Sequence, residues 1–250
     1  MESIFASHFL FLPILIFVVA FLYSTVGHGG ASGYLAVMSL LSFNPHTMPV
    51  IALILNVGVS AIAFFSYRNA GHFKGSLLYP FLIFSVPMAW LGSKIPLSHS
   101  AYSLLLAFAL LFAAFRLNFK ISEPVSAETK PLNFPAALLI GGAIGFISGA
   151  IGIGGGIFLS SILLFFHWST IKESAAVSAP FIFINSIIGL IPRLSADNFS
   201  WHSTGLYISC ALVGGLLGSH LGARHFTAPV LRKILGLVLF SAAIKLLIVR

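Results

Sequence analysis

The chain is a succession of apolar stretches, each about long enough to cross a lipid bilayer and nearly free of charge inside. A hydrocarbon layer of roughly 30 Å takes about 20 apolar residues per helix. Only helices and closed barrels can sit in it without stranding backbone N–H and C=O groups. Stretches of that size run from Phe9 to Val26, Met48 to Tyr67, Gly75 to Gly92, Ala101 to Leu117, Phe134 to Ala150, Ser174 to Ile191, Thr204 to Leu221 and Val230 to Val249. Two shorter ones, Tyr34 to Phe43 and Gly156 to Phe166, are too short to cross alone. The expected fold is therefore all-α: a polytopic helical membrane protein.

Charge is scarce enough to exclude the main alternative. Charged residues make up 7% of the chain, against about 25% in soluble domains, too few to cover the surface of a water-soluble fold of this size. A net charge of +8 would suggest nucleic acid in a soluble protein. Here the plainer source is the Lys and Arg that collect in inner loops, and no nucleic-acid partner is expected. The single cysteine, Cys210, rules out an internal disulfide or a multi-cysteine metal site and reads as a small buried residue. No metal-ligand spacing occurs, and neither metal nor cofactor is expected. The N-terminal "MESIFASHFLFLPILIFVVAFL" lacks a basic leading region, so it reads as an uncleaved helix rather than a signal peptide.

The pattern occurs twice. Residues 1–117 form a first set of five elements and residues 134–250 a second, and in each the second element is the short one. Residues 118–133, carrying Lys120, Glu123, Glu128 and Lys130, form a polar linker between them. Gly27, Gly29, Gly30 and Ala31 correspond to Gly152, Gly154, Gly155 and Gly156, and Gly92-Ser93 corresponds to Gly218-Ser219. An odd number of crossings per half makes the second half inverted relative to the first. With the linker in the cytoplasm, that side collects Arg68, Lys74, Arg116, Lys120, Lys130, Lys172, Arg224, Arg232 and Lys233. The opposite side keeps Lys94, Arg193 and Arg250, with Lys245 able to snorkel. That bias follows the positive-inside rule and puts both termini outside the cytoplasm.

The glycine clusters carry the functional expectation. Paired glycine-interrupted short segments at matching places in two halves point to a transporter's binding site. A helix that starts within the membrane exposes up to four backbone N–H groups and carries about +0.5 of an elementary charge at that end, which attracts an anion. The candidate substrate-binding residues are Gly27, His28, Gly29, Gly30, Ser32 and Asn56 in the first half and Gly152, Gly154, Gly155, Gly156 and Asn185 in the second. His28 has Ile153 as its counterpart and is the best candidate for binding a proton, because no Asp or Glu lies deep in a span. A local backbone hydrogen bond is its alternative role. Ser24, Thr25 and Ser32 flank the same break. Asn56 and Asn185, mid-span amides that need partners, either brace the glycine loops or face the substrate. Arg193 marks an interface or an anion vestibule. Gly141, Gly145 and Gly149, and likewise Gly214 and Gly218, have the spacing of close helix packing instead.

The motifs "GHGGASG" and "GIGGG", the linker between related halves, and the turns "NAGHFK" and "ADNFSW" make the chain resemble the sulfite exporter TauE/SafE family of permeases along nearly its whole length. His28 and Ala31 stand where a fuller glycine set might, and Lys74 where the family often has an acidic residue. The resemblance implies a multi-pass protein of the plasma (inner) membrane. It would move a small anion such as sulfite, a sulfonate or a related organosulfur or carboxylate compound by alternating access. The partners are that small anionic solute and the lipid bilayer, with room for a homo-oligomer, and no enzymatic role is expected. Two alternatives stand beside it. One is a passive anion channel. The other is an intramembrane serine hydrolase built on Gly30-Ala31-Ser32-Gly33, with Ser32 as nucleophile and His220 as its base.

Overall fold

A computed structural model describes residues 2–118, 129–194, 204–224 and 229–248. Most of the linker and the "ADNFSW" turn lie outside the described residues. Ten α-helices and no strands are present among the described residues. They are α1 (Glu2–Ser24), α2 (Ala31–Leu40), α3 (Met48–Asn69), α4 (Gly75–Lys94), α5 (His99–Asn118), α6 (Phe134–Ile151), α7 (Gly156–Phe165), α8 (Ile171–Leu194), α9 (Thr204–Arg224) and α10 (Pro229–Ile248). Six of these, α3, α4, α5, α6, α8 and α9, are long and apolar enough to cross a membrane. Large apolar side chains such as Phe11, Tyr79, Leu139 and Leu237 point outward, as a lipid-facing surface requires. Large apolar residues such as Leu12, Ile16, Tyr34, Phe81 and Phe181 are buried together with alanines and serines.

Glycines set the tightest helix contacts. A Cβ on Gly141, Gly145 or Gly149 would stand 2.2, 2.3 or 2.1 Å from the carbonyl oxygens of Phe81, Ser85 and Ala89. Gly214, Gly218 and Gly222 of α9 press in the same way on Phe17, Phe21 and Thr25. Without side chains between them, the backbones approach closely enough for dispersion to hold the pair in lipid, where no hydrophobic force does so. Gly145→Leu is therefore expected to separate α4 from α6 and sharply lower the yield of monodisperse protein in detergent. Gly205→Ala, where a Cβ meets nothing within 4 Å, should keep or slightly raise the melting temperature.

These contacts also give the helix directions. The pairs 81–141, 85–145 and 89–149 rise together, so α4 and α6 run parallel. By the pairs 17–214 and 21–218, α1 and α9 are parallel too. The contacts 58–212 and 66–219 align α3 with α9; 74–173 and 85–185 align α4 with α8. The pairs 53–189 and 56–186 set α3 against α8. It follows that α1 and α6, the first helices of the two sets, point in opposite directions. Exchanging each helix for the one five places along converts α4–α6 packing into α9–α1 packing and α3–α9 into α8–α4.

One sequence expectation shifts. The first helix begins at Glu2 rather than Phe9, because a helix can continue into its polar flank beyond the apolar stretch. The Lys245 ammonium donates to the carbonyls of Ser39 and Leu40, both at 2.8 Å, and to Ser42 Oγ at 2.9 Å. It thereby caps the carbonyl end of α2, where a cation is favoured by the helix dipole.

Candidate functional site

The chain breaks where α1 gives way to α2 and where α6 gives way to α7. Gly30 is the N-cap of α2 at φ +98, and Gly155 is the N-cap of α7 at φ +78. Both are left-handed conformations that a side chain resists. Neither cap is a Ser, Thr, Asp or Asn whose own side chain would take the free amides. Each short helix then runs back to the start of the long helix that follows it: α2 to α3 and α7 to α8. Because α3 and α8 are antiparallel, α2 and α7 point away from each other, and their N-termini meet in the middle.

A buried amide side chain sits between them. Asn56 of α3 is 1% exposed. Its Oδ1 accepts the Ala31 N–H of α2 at 3.2 Å, and its Nδ2 donates to the Ile153 carbonyl in the second break at 3.5 Å and to Ser186 Oγ at 3.0 Å. A backbone amide can only donate and a carbonyl can only accept, so the network fixes which way the Asn56 amide faces. A Cβ at Gly29 would stand 2.0 Å from Asn56 Oδ1, and one at Gly154 would stand 2.3 Å from Nδ2. Both breaks are glycine there because Asn56 occupies the space. Ile182 closes the same crossing, against Gly29, Gly154 and Gly156. The Ala31 amide is the one taken by a side chain in the first turn of α2. No hydrogen bond to the amides of Ser32, Gly33, Gly156 or Ile157 occurs among the described residues.

The remaining candidates divide. His28 packs on the second half, with Nδ1 2.9 Å from the Val26 carbonyl and Nε2 2.9 Å from Ser160 Oγ on α7. Ser32 Oγ bonds Tyr23 OH at 2.6 Å. Beside the first break, Ser24 Oγ and Tyr34 OH are buried without a hydrogen-bond partner among the described residues. The Tyr34 hydroxyl folds back to within 2.8 Å of where a Gly30 Cβ would stand. Gly27 and Gly152 sit at the outer edges of the breaks, pressed on Ala175 and on Pro49. Asn185 faces elsewhere: its Oδ1 accepts from Ser85 Oγ at 2.7 Å and its Nδ2 donates to the Phe181 carbonyl. The second-half partner of Asn56 is thus Ser186, a residue the sequence reading passed over. Ser160, Ile182 and Tyr34 were passed over too; a serine or tyrosine wholly buried in an apolar helix was the available signal.

A cleft of about 690 Å³ opens at one end of the bundle, beside the second break. Its lining includes His46, Trp90, Lys94, His99, Tyr102, Ala150 and Arg193, and no acidic residue. Lys94 Nζ lies 3.4 Å from the centre of the Trp90 ring. At the floor, Arg193 donates to the carbonyl of Ala150 at 2.9 Å and Tyr102 to that of Ile151 at 3.3 Å. Arg193 therefore holds the end of α6 as well as lining the cleft. At the other end of the bundle, Lys74 pairs with Glu173, and Lys172 donates to the Ala223 carbonyl. His220 lines a smaller cleft of about 290 Å³ with Asn69 and Arg224. It makes no hydrogen bond with Ser32 among the described residues, so the hydrolase pair is not assembled.

Comparison with known proteins agrees with this architecture. The family described as "Sulfite exporter TauE/SafE" matches residues 12–246. The probable membrane transporter protein y4hK of Sinorhizobium fredii is 35% identical over 239 residues, covering 94% of this chain and 97% of that protein. The probable membrane transporter protein MJ0441 of Methanocaldococcus jannaschii is 27% identical over 118 residues, covering 45% of this chain and 44% of that protein. No solved structure matches.

Proposed function

The chain belongs to the sulfite exporter TauE/SafE family of membrane transporters, and from that premise we propose that it is a plasma-membrane carrier of a small oxyanion, such as sulfite, a sulfonate or a short carboxylate. The observation that carries this is the meeting of the α2 and α7 N-termini on either side of Asn56. Two helix ends, each near +0.5 of a charge, face one point inside the bilayer. There Asn56 supplies a neutral oxygen that an anion can replace, and the Tyr34 hydroxyl supplies a further donor.

The opposed directions of α1 and α6 support the reading of two inverted repeats that rock about this point. The Lys94 cleft is then the outer vestibule. The ion pair between Lys74 and Glu173 closes the cytoplasmic face, and the centre is occluded by Asn56 and Ile182. In the vestibule Lys94 and Arg193 raise the local concentration of anions before they reach the breaks.

The test is flux of labelled sulfite, 2-hydroxyethanesulfonate and malonate in proteoliposomes. We expect saturable uptake of at least one, accelerated by the same anion trapped inside. Flux that neither saturates nor responds to the trapped anion would assign a channel instead. Absence of flux for all three would overturn the anion reading. Lys94→Gln is expected to raise KM several-fold at low ionic strength with little change in maximal rate. The difference should shrink as salt rises and the Debye length falls to about 8 Å near 0.15 M.

A further inference from the structure

His28 is 9% exposed, and the anion site as described does not use its ring nitrogens. The Val26 carbonyl can only accept, so Nδ1 carries a hydrogen in every state of the ring. At Nε2 the partner is a hydroxyl, which can do either. Ser160 Oγ lies 2.9 Å from Nε2 and 3.2 Å from the Ile157 carbonyl one turn back. When the ring is neutral, the Ser160 hydrogen points to Nε2. When Nε2 is protonated, the same hydroxyl turns its hydrogen to Ile157 and accepts from the ring. A rotation about one serine torsion lets Ser160 satisfy both the imidazole and the imidazolium at Nε2. A backbone carbonyl at Nε2 would have fixed the ring as a cation; an N–H would have fixed it neutral.

The surroundings couple this proton to the anion. His28 Cδ2 lies 3.5 Å from where a Gly156 Cβ would stand, so the ring is beside the first residue of α7. An imidazolium next to that positive helix end is costly in low dielectric, and an anion seated between the two N-termini removes the cost. The ionisable groups on the neighbouring elements are held elsewhere. Tyr23 meets the ring edge-on at 6.4 Å and bonds Ser32. Tyr67 donates to the Thr25 carbonyl, and Arg116 reaches Ser161. On α8, Lys172 and Glu173 bond Ala223 and Lys74, while Arg193 holds α6. Lys245 caps the far end of α2. Tyr34 faces Gly30, and α6 and α7 carry no ionisable side chain.

We propose that His28 is the coupling site of the carrier: Nε2 takes a proton from water on the side where the anion enters and returns it to water where the anion leaves. The ring gains one positive charge as the monoanion adds one negative, so the loaded carrier is electrically unchanged by the pair. The proposal rests on the anion-carrier reading above. It assigns the co-transported ion, which that reading leaves open.

The test uses the full chain in proteoliposomes containing a trapped pH dye, with sulfite, 2-hydroxyethanesulfonate and malonate as probes. Exchange of each labelled probe against itself is measured first, at equal pH on both sides. Net proton movement is then measured with 2-hydroxyethanesulfonate, whose charge does not change with pH, or with whichever probe exchanges. The wild type should move one proton per molecule of probe carried and accumulate the probe toward the alkaline side. The ratio of proton to probe flux should fall to near zero in His28→Gln and be strongly reduced in Ser160→Ala, whatever the absolute rates. Exchange by the wild type without proton movement, or a full ratio in His28→Gln, would overturn the coupling site and leave the carrier standing. No exchange of any probe would overturn both. A second measurement covers variants too slow to read: in ¹⁵N-histidine spectra of the reconstituted wild type, adding the exchanging probe at fixed pH should increase the imidazolium signal of His28, assigned by its loss in His28→Gln. An unchanged signal would count against the proposal.

Discussion

Gly154→Leu is expected to leave a folded protein in the membrane without the anion transport proposed above. At φ +77 the residue sits in left-handed backbone, where a side chain costs roughly 1–2 kcal/mol, a load that a ten-helix bundle can carry. The greater effect is local. The new Cβ would stand 2.3 Å from Asn56 Nδ2 and 2.8 Å from Ser186 Oγ, so Asn56 must leave the position from which it meets both breaks. Misplacement of about 1 Å at a site of this kind costs on the order of a hundredfold in rate, and flux of the labelled anion should fall at least that far. Gly155→Leu should do the same through Ile144 and Phe181, which its Cβ would meet at 2.7 and 3.0 Å. Gel filtration in detergent separates this loss from unfolding, with Gly205→Ala as the tolerated comparison. Wild-type flux in both leucine variants would remove the breaks from the site.

Much of this arrangement could be read from residue order alone, because the bilayer imposes a length and glycine marks an interruption. The ten elements, the two short ones among them, and the packing glycines at 141, 145, 149, 214 and 218 follow from apolar run length and small-residue spacing. What did not follow was side-chain direction across long sequence separations. Asn56 and Asn185 look alike as buried mid-span amides, yet Asn56 bridges the two breaks and Asn185 bonds Ser85. The difference arises from how α3 and α8 cross, which places residue 56 beside 186 rather than 185. Local composition also misplaced the start of α2. Ala31, Ser32 and Gly33 resemble loop residues, but the Asn56 bond to the Ala31 amide starts the helix there, three residues before Tyr34. Lys245 was unreadable for the same reason: its acceptors, Ser39, Leu40 and Ser42, lie about two hundred residues away.

Asn56→Asp is expected to abolish transport without the loss of stability that Asn56→Leu causes, and the contrast separates the two roles this residue can have. In Asn56→Leu the Ala31 N–H, the Ile153 carbonyl and the Ser186 hydroxyl lose their common partner in a buried site. Each unsatisfied group costs about 1–3 kcal/mol, so the melting temperature should fall markedly along with flux. Aspartate keeps an oxygen for the Ala31 amide, now as a charge-assisted bond of roughly twice the strength, and the Ser186 hydroxyl can reverse to donate to it. The Ile153 carbonyl loses its donor, which partly offsets these gains. The decisive change is the fixed negative charge. It occupies the point where the two N-termini carry about +0.5 each and cancels the field that would draw a solute anion from the cleft. If Asn56 only braced the two breaks, the stable Asp variant should transport nearly as well as the wild type. If the helix ends bind the anion, it should be as inert as Gly154→Leu while melting near the wild-type temperature. Labelled-anion flux and thermal unfolding, measured on the same preparation, decide between them.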